Sequence, residues 1–477
     1  MHAGGNHGGD GRLHIAVLPW LAMGHIIPYL HLAKRLSQKG LRISFISTPR
    51  NITTILTTLL PNPAAASPAI DFVPIPSPSS PVESTMNIKP SDFPRLKAAF
   101  ATLREPVAAF LRDAIPDVVL YDYCCDWVPP IAAEIGALSG FLSIFNASTL
   151  CFIGPPERLV QESNEDLEVL LRAWTTNREW IPFESNMRYY LHEIKRMLAS
   201  QGGNGDSKEG ERWARAIGGG AFVAVKTSVE LESKWIDLLK DLYKKPVIQI
   251  GTLFPVAGND DGHDGWGEAA GIKDWLDGMG DGSVIYVALG TEAILDKDEI
   301  TEMAHGLEDS AVPFLWVLRD LPESTQTAVS PLPSGFQERV EGRGMVYTAW
   351  APQVKVLGHR AIGGFLTHCG WSSVIEGLGF GRVLVLLPMI NDQPLIARML
   401  TEEGLGLELV RQEKDRWSLA RDEIAGKVRA AMVTEEGAVF REKARKMKGI
   451  VGNEELNDRY VEDFIHRIEQ MRQVSKQ

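Results

Sequence analysis

Short apolar runs alternate with helix-length amphipathic stretches along this chain, in two successive series. The first series holds HIAVLPW (14–20), LRISFIST (41–48), IDFVPIP (70–76), DVVLYDY (117–123), GFLSIF (140–145), FVAVKTS (222–228) and VIQIGTLF (247–254). The second holds SVIYVALG (283–290), PFLWVL (313–318), GMVYTAW (344–350), AIGGFLTHC (361–369), VLVLLPMI (383–390) and LGLELV (405–410). Apolar runs of this length, alternating with helices, predict parallel strands buried on both faces. Residues 155–220 break the rhythm: they are helical in part, rich in Trp, Arg and Glu, and contain a predicted loop, QGGNGDSKEG (201–210). The Gly/Asp-rich VAGNDDGHDGWGEAAG (256–271) reads as a linker, and the chain closes with a charged amphipathic helix around Glu454–Arg472. The economical architecture is α/β, with two doubly wound, Rossmann-like domains facing across a cleft. The expected division is a tail at 1–12, a first domain at 13–250, a linker at 251–272, a second domain at 273–450 and a final helical segment at 451–477. Ligands of such sheets gather outside the carboxyl ends of the strands, so chemistry is sought in the loops that follow strands.

Composition fits this picture. The 477 residues suffice for two domains, and 44% hydrophobic with 23% charged residues is a globular balance. A formal net charge of −12 without a basic block argues against nucleic acid as a partner. Cys124, Cys125, Cys151 and Cys369 have no metal-ligand spacing, as expected of a reduced, cytoplasmic protein. The N-terminal MHAGGNHGGDG lacks the basic start and apolar run of a signal peptide. The apolar stretch 15–32 is interrupted by Pro19, Gly24, His25 and Pro28, so no integral membrane segment is expected. The chain is expected to be a monomer.

The densest candidate chemistry lies at 350–393, WAPQVKVLGHRAIGGFLTHCGWSSVIEGLGFGRVLVLLPMINDQ. Here AIGGFLTHC ends in His368-Cys369-Gly370-Trp371, and a helix is expected from about Ser372. A helix N-terminus with two hydroxyls and an imidazole at the mouth of a parallel sheet attracts an anion, above all a phosphate. Ser372 and Glu376 share one helix face, and a carboxylate one turn past a phosphate suits a ribose diol. Trp350 offers a flat face for a base, while Asp392 and Gln393 can exchange hydrogen bonds with sugar hydroxyls. Singly, each has a plain structural reading, a serine cap or a packed tryptophan. Five such groups at successive strand ends are hard to explain by stability.

This segment resembles the signature box of plant family-1 UDP-glycosyltransferases, which opens W-A-P-Q, passes through H-C-G-W-N-S and E-G, and closes with D-Q. The matching residues are Trp350-Ala351-Pro352-Gln353, His368-Cys369-Gly370-Trp371-Ser372-Ser373, Glu376-Gly377 and Asp392-Gln393. The resemblance implies the two-domain glycosyltransferase B fold, with acceptor bound by the N-terminal domain, donor by the C-terminal domain, and the last helix crossing back to the former. It implies that Trp350 stacks on uracil and Ala351 holds it through backbone. Gln353 and Glu376 would lie near the ribose, His368, Ser372 and Ser373 near the diphosphate, and Trp371, Asp392 and Gln393 near the hexose, with Gly370 also among the donor-binding residues. Two departures stand out: Ser372 replaces the usual Asn, and Leu387-Pro388 the usual aromatic-Pro. The closing Gln393 is commonly read as favouring glucose. In Ala288-Leu289-Gly290-Thr291, the family often has F-G-S, so Thr291 would supply a hydroxyl to the diphosphate pocket.

A second constellation follows the first strand, where Leu21-Ala22-Met23-Gly24-His25 places His25 in a loop facing the cleft. A neutral imidazole is suited to deprotonating an alcohol near neutral pH if a partner fixes its tautomer. Asp122, at the end of DVVLYDY, is well placed because strands one and four of such a sheet are commonly neighbours; Asp126 competes. The logic is that of a Ser-His-Asp triad with the acceptor hydroxyl in place of serine. The family carries its catalytic His and Asp at positions matching His25 and Asp122. The implied reaction is an inverting transfer from UDP-glucose to a plant small molecule, giving a β-glycoside. The opening P-W-L-A-M-G-H, the S-T-P-R-N motif (47–51) and the form G-W-S-S-V-I-E resemble the subgroup that extends sugars already on flavonoids or terpenoids, so a glycoside acceptor is expected. An aglycone acceptor and another donor such as UDP-rhamnose are the alternatives.

Other signals carry less. DDGHDG (260–265) lacks EF-hand spacing, and no D-x-D follows a strand of the second domain. No metal or other cofactor is expected, the UDP-sugar being a co-substrate; a helix N-terminus plus His368 would neutralise the diphosphate. GLGFG (377–381) ends a helix, so it is no dinucleotide fingerprint, which disfavours a nucleotide-dependent oxidoreductase. A non-catalytic UDP-sugar-binding protein is disfavoured by the presence of both His25 and Asp122.

Overall fold

A computed structural model describes residues 12–60, 69–77, 83–85, 92–200, 209–255, 266–290, 295–318, 332–413 and 417–475. The first series of runs forms a seven-stranded sheet: β1 (His14–Leu18), β2 (Arg42–Ser47), β3 (Ile70–Pro74), β4 (Val118–Tyr121), β5 (Leu138–Ser143), β6 (Phe222–Val225) and β7 (Val247–Gln249), in the order β3-β2-β1-β4-β5-β6-β7. The second forms a six-stranded sheet: β8 (Val284–Ala288), β9 (Phe314–Val317), β10 (Gly344–Tyr347), β11 (Ile362–Thr367), β12 (Val383–Leu386) and β13 (Gly406–Glu408), in the order β10-β9-β8-β11-β12-β13. Neighbouring strands within both sheets are parallel. Central strands such as β1, β4, β8 and β12 are buried along their whole length, whereas the edge strands β3 and β10 are half-exposed. Helices on both faces explain why the central runs are uninterruptedly apolar. In each sheet the strand order reverses beside the first strand, between β1 and β4 and between β8 and β11. These reversals are where a doubly wound fold opens a crevice for ligands.

Several expected elements are shifted. The helix after β1 begins at Met23, so His25 sits in its first turn rather than in a preceding loop. β6 stops at Val225, three residues short of the expected end, which puts Lys226, Thr227 and Ser228 in the loop at its mouth. The expected linker is already helical at its end, with a short turn at Gly267–Ala269 and a helix at Ala270–Asp277. A small antiparallel hairpin, Gln412–Glu413 with Trp417–Ser418, was not expected. The loop 201–208 and the DDGHDG stretch lie outside the described residues.

The two sheets are tied together by the region that breaks the rhythm. The hydroxyl of Tyr189 donates to the carbonyl of Asn391 at 2.9 Å, Ser185 and the Asn186 N–H meet Glu402 at 3.1 Å, and Arg398 pairs with Glu193 at 2.6 Å. The final helix, Glu454–Ser475, lies on the first sheet: Val461, Phe464 and Ile468 are fully buried, and Phe464 packs against Phe222 of β6. Asn457 accepts from both the N–H and the hydroxyl of Thr252 at 2.9 Å. Gly251 is required beside it, because its φ is +74° and a Cβ would lie 2.9 Å from the Asn457 oxygen.

Candidate active site

Register places β1 and β4 side by side, with Leu18 opposite Tyr121. That pairing delivers Asp122 to the start of the first helix, where His25 Nδ1 lies 2.7 Å from its Oδ2. Asp122 is only 1% exposed and also accepts the Trp20 N–H at 3.1 Å and the Tyr123 N–H at 2.7 Å. An ionised carboxylate is acceptor-only, so the Nδ1 proton belongs to His25 and the lone pair to Nε2. Asp126 does not compete: its carboxylate takes the Nε–H of Arg215 at 2.7 Å.

Aromatic rings frame His25. Tyr123 and Phe145 stand 5.8 and 5.7 Å from the imidazole, and Trp213 stacks on Tyr123 at 4.8 Å. The S-T-P-R-N motif braces the edge of this chamber. Thr48 Oγ1 and Asn51 Nδ2 donate to the Glu83 carbonyl at 3.0 and 3.1 Å, and the Thr85 N–H then reaches Leu21 O at 3.1 Å, next to the loop that leads to His25.

On the second sheet β11 ends at Thr367, the backbone turns through Cys369 at φ +70°, and the helix Trp371–Gly379 starts with Gly370 at its N-cap. A left-handed turn at a buried non-glycine residue is strained, a feature that clusters at functional sites. The first-turn N–H groups of this helix have no intrahelical acceptor. Gln353 Nε2 donates to Ser373 Oγ at 3.0 Å and to Glu376 Oε2 at 2.7 Å. These bonds bring the loop after β10 across to the helix, although β10 is the sheet edge, with β9 and β8 between it and β11. The candidate groups therefore converge by loop reach, not by lying on adjacent strands. Trp350 is 60% exposed, an open indole face, whereas Ala351 is buried.

His368 lies between two glycines. A Cβ on Gly290 would sit 2.7 Å from its ring and one on Gly370 2.5 Å from its Nε2. Its Nδ1 is buried with no hydrogen-bond partner among the described residues, and burial pushes the imidazole down to about 4. A neutral ring in this position offers an N–H to an acceptor.

Two further side chains are partly committed within the protein. The Trp371 indole is buried and its N–H donates to the carbonyl of Lys226 at 2.7 Å, so that donor is already taken. Gln393 Oε1 accepts the N–H groups of Met389 and Ile390 at 3.0 and 2.9 Å, leaving its amide nitrogen for a ligand. Asp392 stands at the N-cap of the Gln393–Glu402 helix without capping it. Thr291 lies outside the described residues.

Sequence reasoning missed Lys226. It is 2% exposed, and its Nζ donates across the cleft to Ser372 Oγ at 2.9 Å. The available signal was a lysine at the carboxyl end of an otherwise apolar strand; reading 222–228 as strand throughout hid it. Burial pushes this ammonium down to about 8 and the Glu376 carboxyl above its usual range, and each holds the other nearer its charged form. Among the described residues no three His, Cys, Asp or Glu side chains gather as a metal site, and no helix is long and apolar enough to cross a membrane.

Comparison with known proteins identifies the family. Residues 267–420 match the family described as UDP-glucoronosyl and UDP-glucosyl transferase. The chain is 45% identical to UDP-glycosyltransferase 91C1 of Arabidopsis thaliana, over 95% of this chain and 96% of that protein. It is 38% identical to the soyasaponin III rhamnosyltransferase of Glycine max, over 97% of each. Among solved structures, Glycyrrhiza uralensis UGT73P12 superposes with a TM-score of 0.81 at 19% identity, covering 98% of this chain and 97% of that one. Medicago truncatula UGT71G1, complexed with UDP-glucose, gives 0.74 at 23% identity, covering 96% and 98%. Two doubly wound sheets, a strand-end helix N-terminus ringed by the signature residues and identity along nearly the whole length leave one assignment: the chain belongs to the plant family-1 UDP-glycosyltransferases, enzymes of the glycosyltransferase B fold that use a UDP-sugar as co-substrate.

Proposed function

We propose that this enzyme transfers glucose from UDP-glucose, with inversion, to a hydroxyl on a sugar of an existing terpenoid or flavonoid glycoside. The observation that carries the chemistry is the His25–Asp122 bond of 2.7 Å at the strand reversal of the first sheet. His25 Nε2 takes the proton of the acceptor hydroxyl, and Asp122 stabilises the imidazolium that forms. The acceptor oxygen then attacks the anomeric carbon of the α-linked sugar while the bond from that carbon to the phosphate oxygen breaks, giving a β-glycoside and UDP. Ser372, Ser373 and the first-turn N–H groups receive the charge on the departing diphosphate. Trp350 stacks on the base, Ala351 holds it through backbone, and Gln353 with Glu376 takes the ribose. The Trp371 backbone, Asp392 and the Gln393 amide serve the hexose, and Thr291 adds a hydroxyl to the phosphate pocket.

Support for the acceptor class is the opening P-W-L-A-M-G-H, the S-T-P-R-N brace and G-W-S-S-V-I-E, together with relatives named for soyasaponin III and for mogroside IIIx. The aromatic frame around His25 suits a large apolar scaffold. A second donor, UDP-rhamnose, is favoured by one observation, that the soybean relative is named a rhamnosyltransferase. A cytoplasmic monomer goes with this reading.

The test is a screen of aglycones paired with their monoglucosides, against UDP-glucose and UDP-rhamnose, read by product mass. Product from the glucosides alone supports the proposal; product from the aglycones alone overturns the acceptor class. His25→Ala should abolish transfer and leave UDP binding intact, and retained turnover would refute the base assignment.

A further inference from the structure

We propose that Lys226, carried by the N-terminal sheet, binds the diphosphate of the donor across the cleft, so that the acceptor-side domain takes part in holding the nucleotide sugar. This rests on the reading of the Trp371–Gly379 helix N-terminus as the diphosphate site.

Lys226 is the first residue after β6. It stands at the carboxyl end of the first sheet, the edge that also carries His25 and Asp122. Its backbone is pinned twice: its N–H donates to Ser143 O at 3.0 Å, and its carbonyl accepts the Trp371 indole N–H at 2.7 Å. The side chain is therefore aimed by both domains at the first turn of the helix, where Nζ meets Ser372 Oγ at 2.9 Å. Burying an ammonium, here 2% exposed, is costly unless it is paired. Among the described residues Lys226 forms no ion pair within 4.0 Å, and a neutral hydroxyl uses one of its three N–H donors. Glu376, one turn further along the helix, attracts the ammonium through space but forms no ion pair with it, its Oε2 accepting from the Gln353 amide at 2.7 Å. His31, on the helix after β1, is held neutral by burial and by Lys226, so it adds no second positive charge beside the ammonium.

The buried cation and the Ser372 hydroxyl meet at a helix N-terminus, with Ser373 next in the same turn, and an anion there accepts from these donors. The diphosphate of a UDP-sugar is that anion. Among the described residues, Lys226 brings positive charge to this turn. Because Lys226 belongs to the first domain and Ser372 to the second, a diphosphate held between them also fastens the domains together.

The alternative is that Lys226 only clamps the two domains. Calorimetric titration of UDP and of uridine, which lacks the phosphates, into wild-type protein, Lys226→Met and Lys226→Arg separates the two. If Lys226 holds the diphosphate, Lys226→Met loses UDP affinity by about 10- to 100-fold, with uridine affinity unchanged and Lys226→Arg close to wild type. Equal losses for UDP and uridine, or UDP affinity within twofold of wild type, would overturn it. If Lys226→Met does not fold, Lys226→Gln carries the same comparison. A wild-type protein that binds UDP no more tightly than uridine would instead refute the diphosphate site itself.

Discussion

Asp122→Asn is the sharpest test of the catalytic arrangement. In the native site Oδ2 accepts from His25 and from the Trp20 N–H, and Oδ1 accepts from the Tyr123 N–H at 2.7 Å. An asparagine can point its oxygen either way, and each choice sets an NH2 group against one backbone N–H. With its nitrogen towards His25, it also drives the imidazole proton from Nδ1 to Nε2 and removes the base. With its oxygen there, the tautomer survives but the negative charge is gone. Two unit charges about 4 Å apart interact by roughly 4 kcal/mol at an effective dielectric of about 20, which is the stabilisation the imidazolium would lose. That corresponds to a fall in kcat of about a thousandfold. The opposed N–H should cost about 1–3 kcal/mol of stability, visible as a lower Tm. The assay is UDP release at saturating donor and acceptor, with UDP affinity measured alongside. A variant that keeps kcat within fivefold of wild type would refute the dyad.

Two further outcomes follow from the helix-371 site and from buried histidines. Gly290→Ala places a methyl 2.7 Å from the His368 ring at a φ of +74°, so the ring must move. UDP affinity should fall by about tenfold or more, since a hydrogen bond to a charged group is worth about 1.5–3 kcal/mol; unchanged calorimetric affinity would show that His368 does not serve the donor. Acid should destabilise the fold, because burial holds His368 at about 4 and His31 at about 3. Their folded values lie below the unfolded value of about 6.5, so their contribution is complete above pH 6.5 and is lost as pH falls towards those values, by about 2 kcal/mol per histidine at pH 5. Urea midpoints at pH 7.5 and 5 should diverge, and less so in His368→Gln; an equal divergence in that variant would exclude His368 as a cause.

What the sequence determined was the set of strands and the identity of the chemical groups. Runs such as SVIYVALG are apolar throughout because both faces of a central parallel strand are covered, and that requirement is local and readable. The signature residues at 350–393 are close together along the chain, so an anion-and-ribose site could be read from spacing, and the family resemblance supplied its occupant. Asp122, 97 positions from His25, was reachable only through an assumed strand order, which the β1–β4 pairing supplies. Tertiary structure decided the rest. It set the charge of His368, because desolvation depends on what packs around the ring. It committed the Trp371 indole and the Gln393 carbonyl to partners a spacing argument does not see. Above all it brought Lys226 to Ser372, 146 positions away and in the other domain. No periodicity encodes that meeting: it depends on where β6 stops and how two separate sheets are docked.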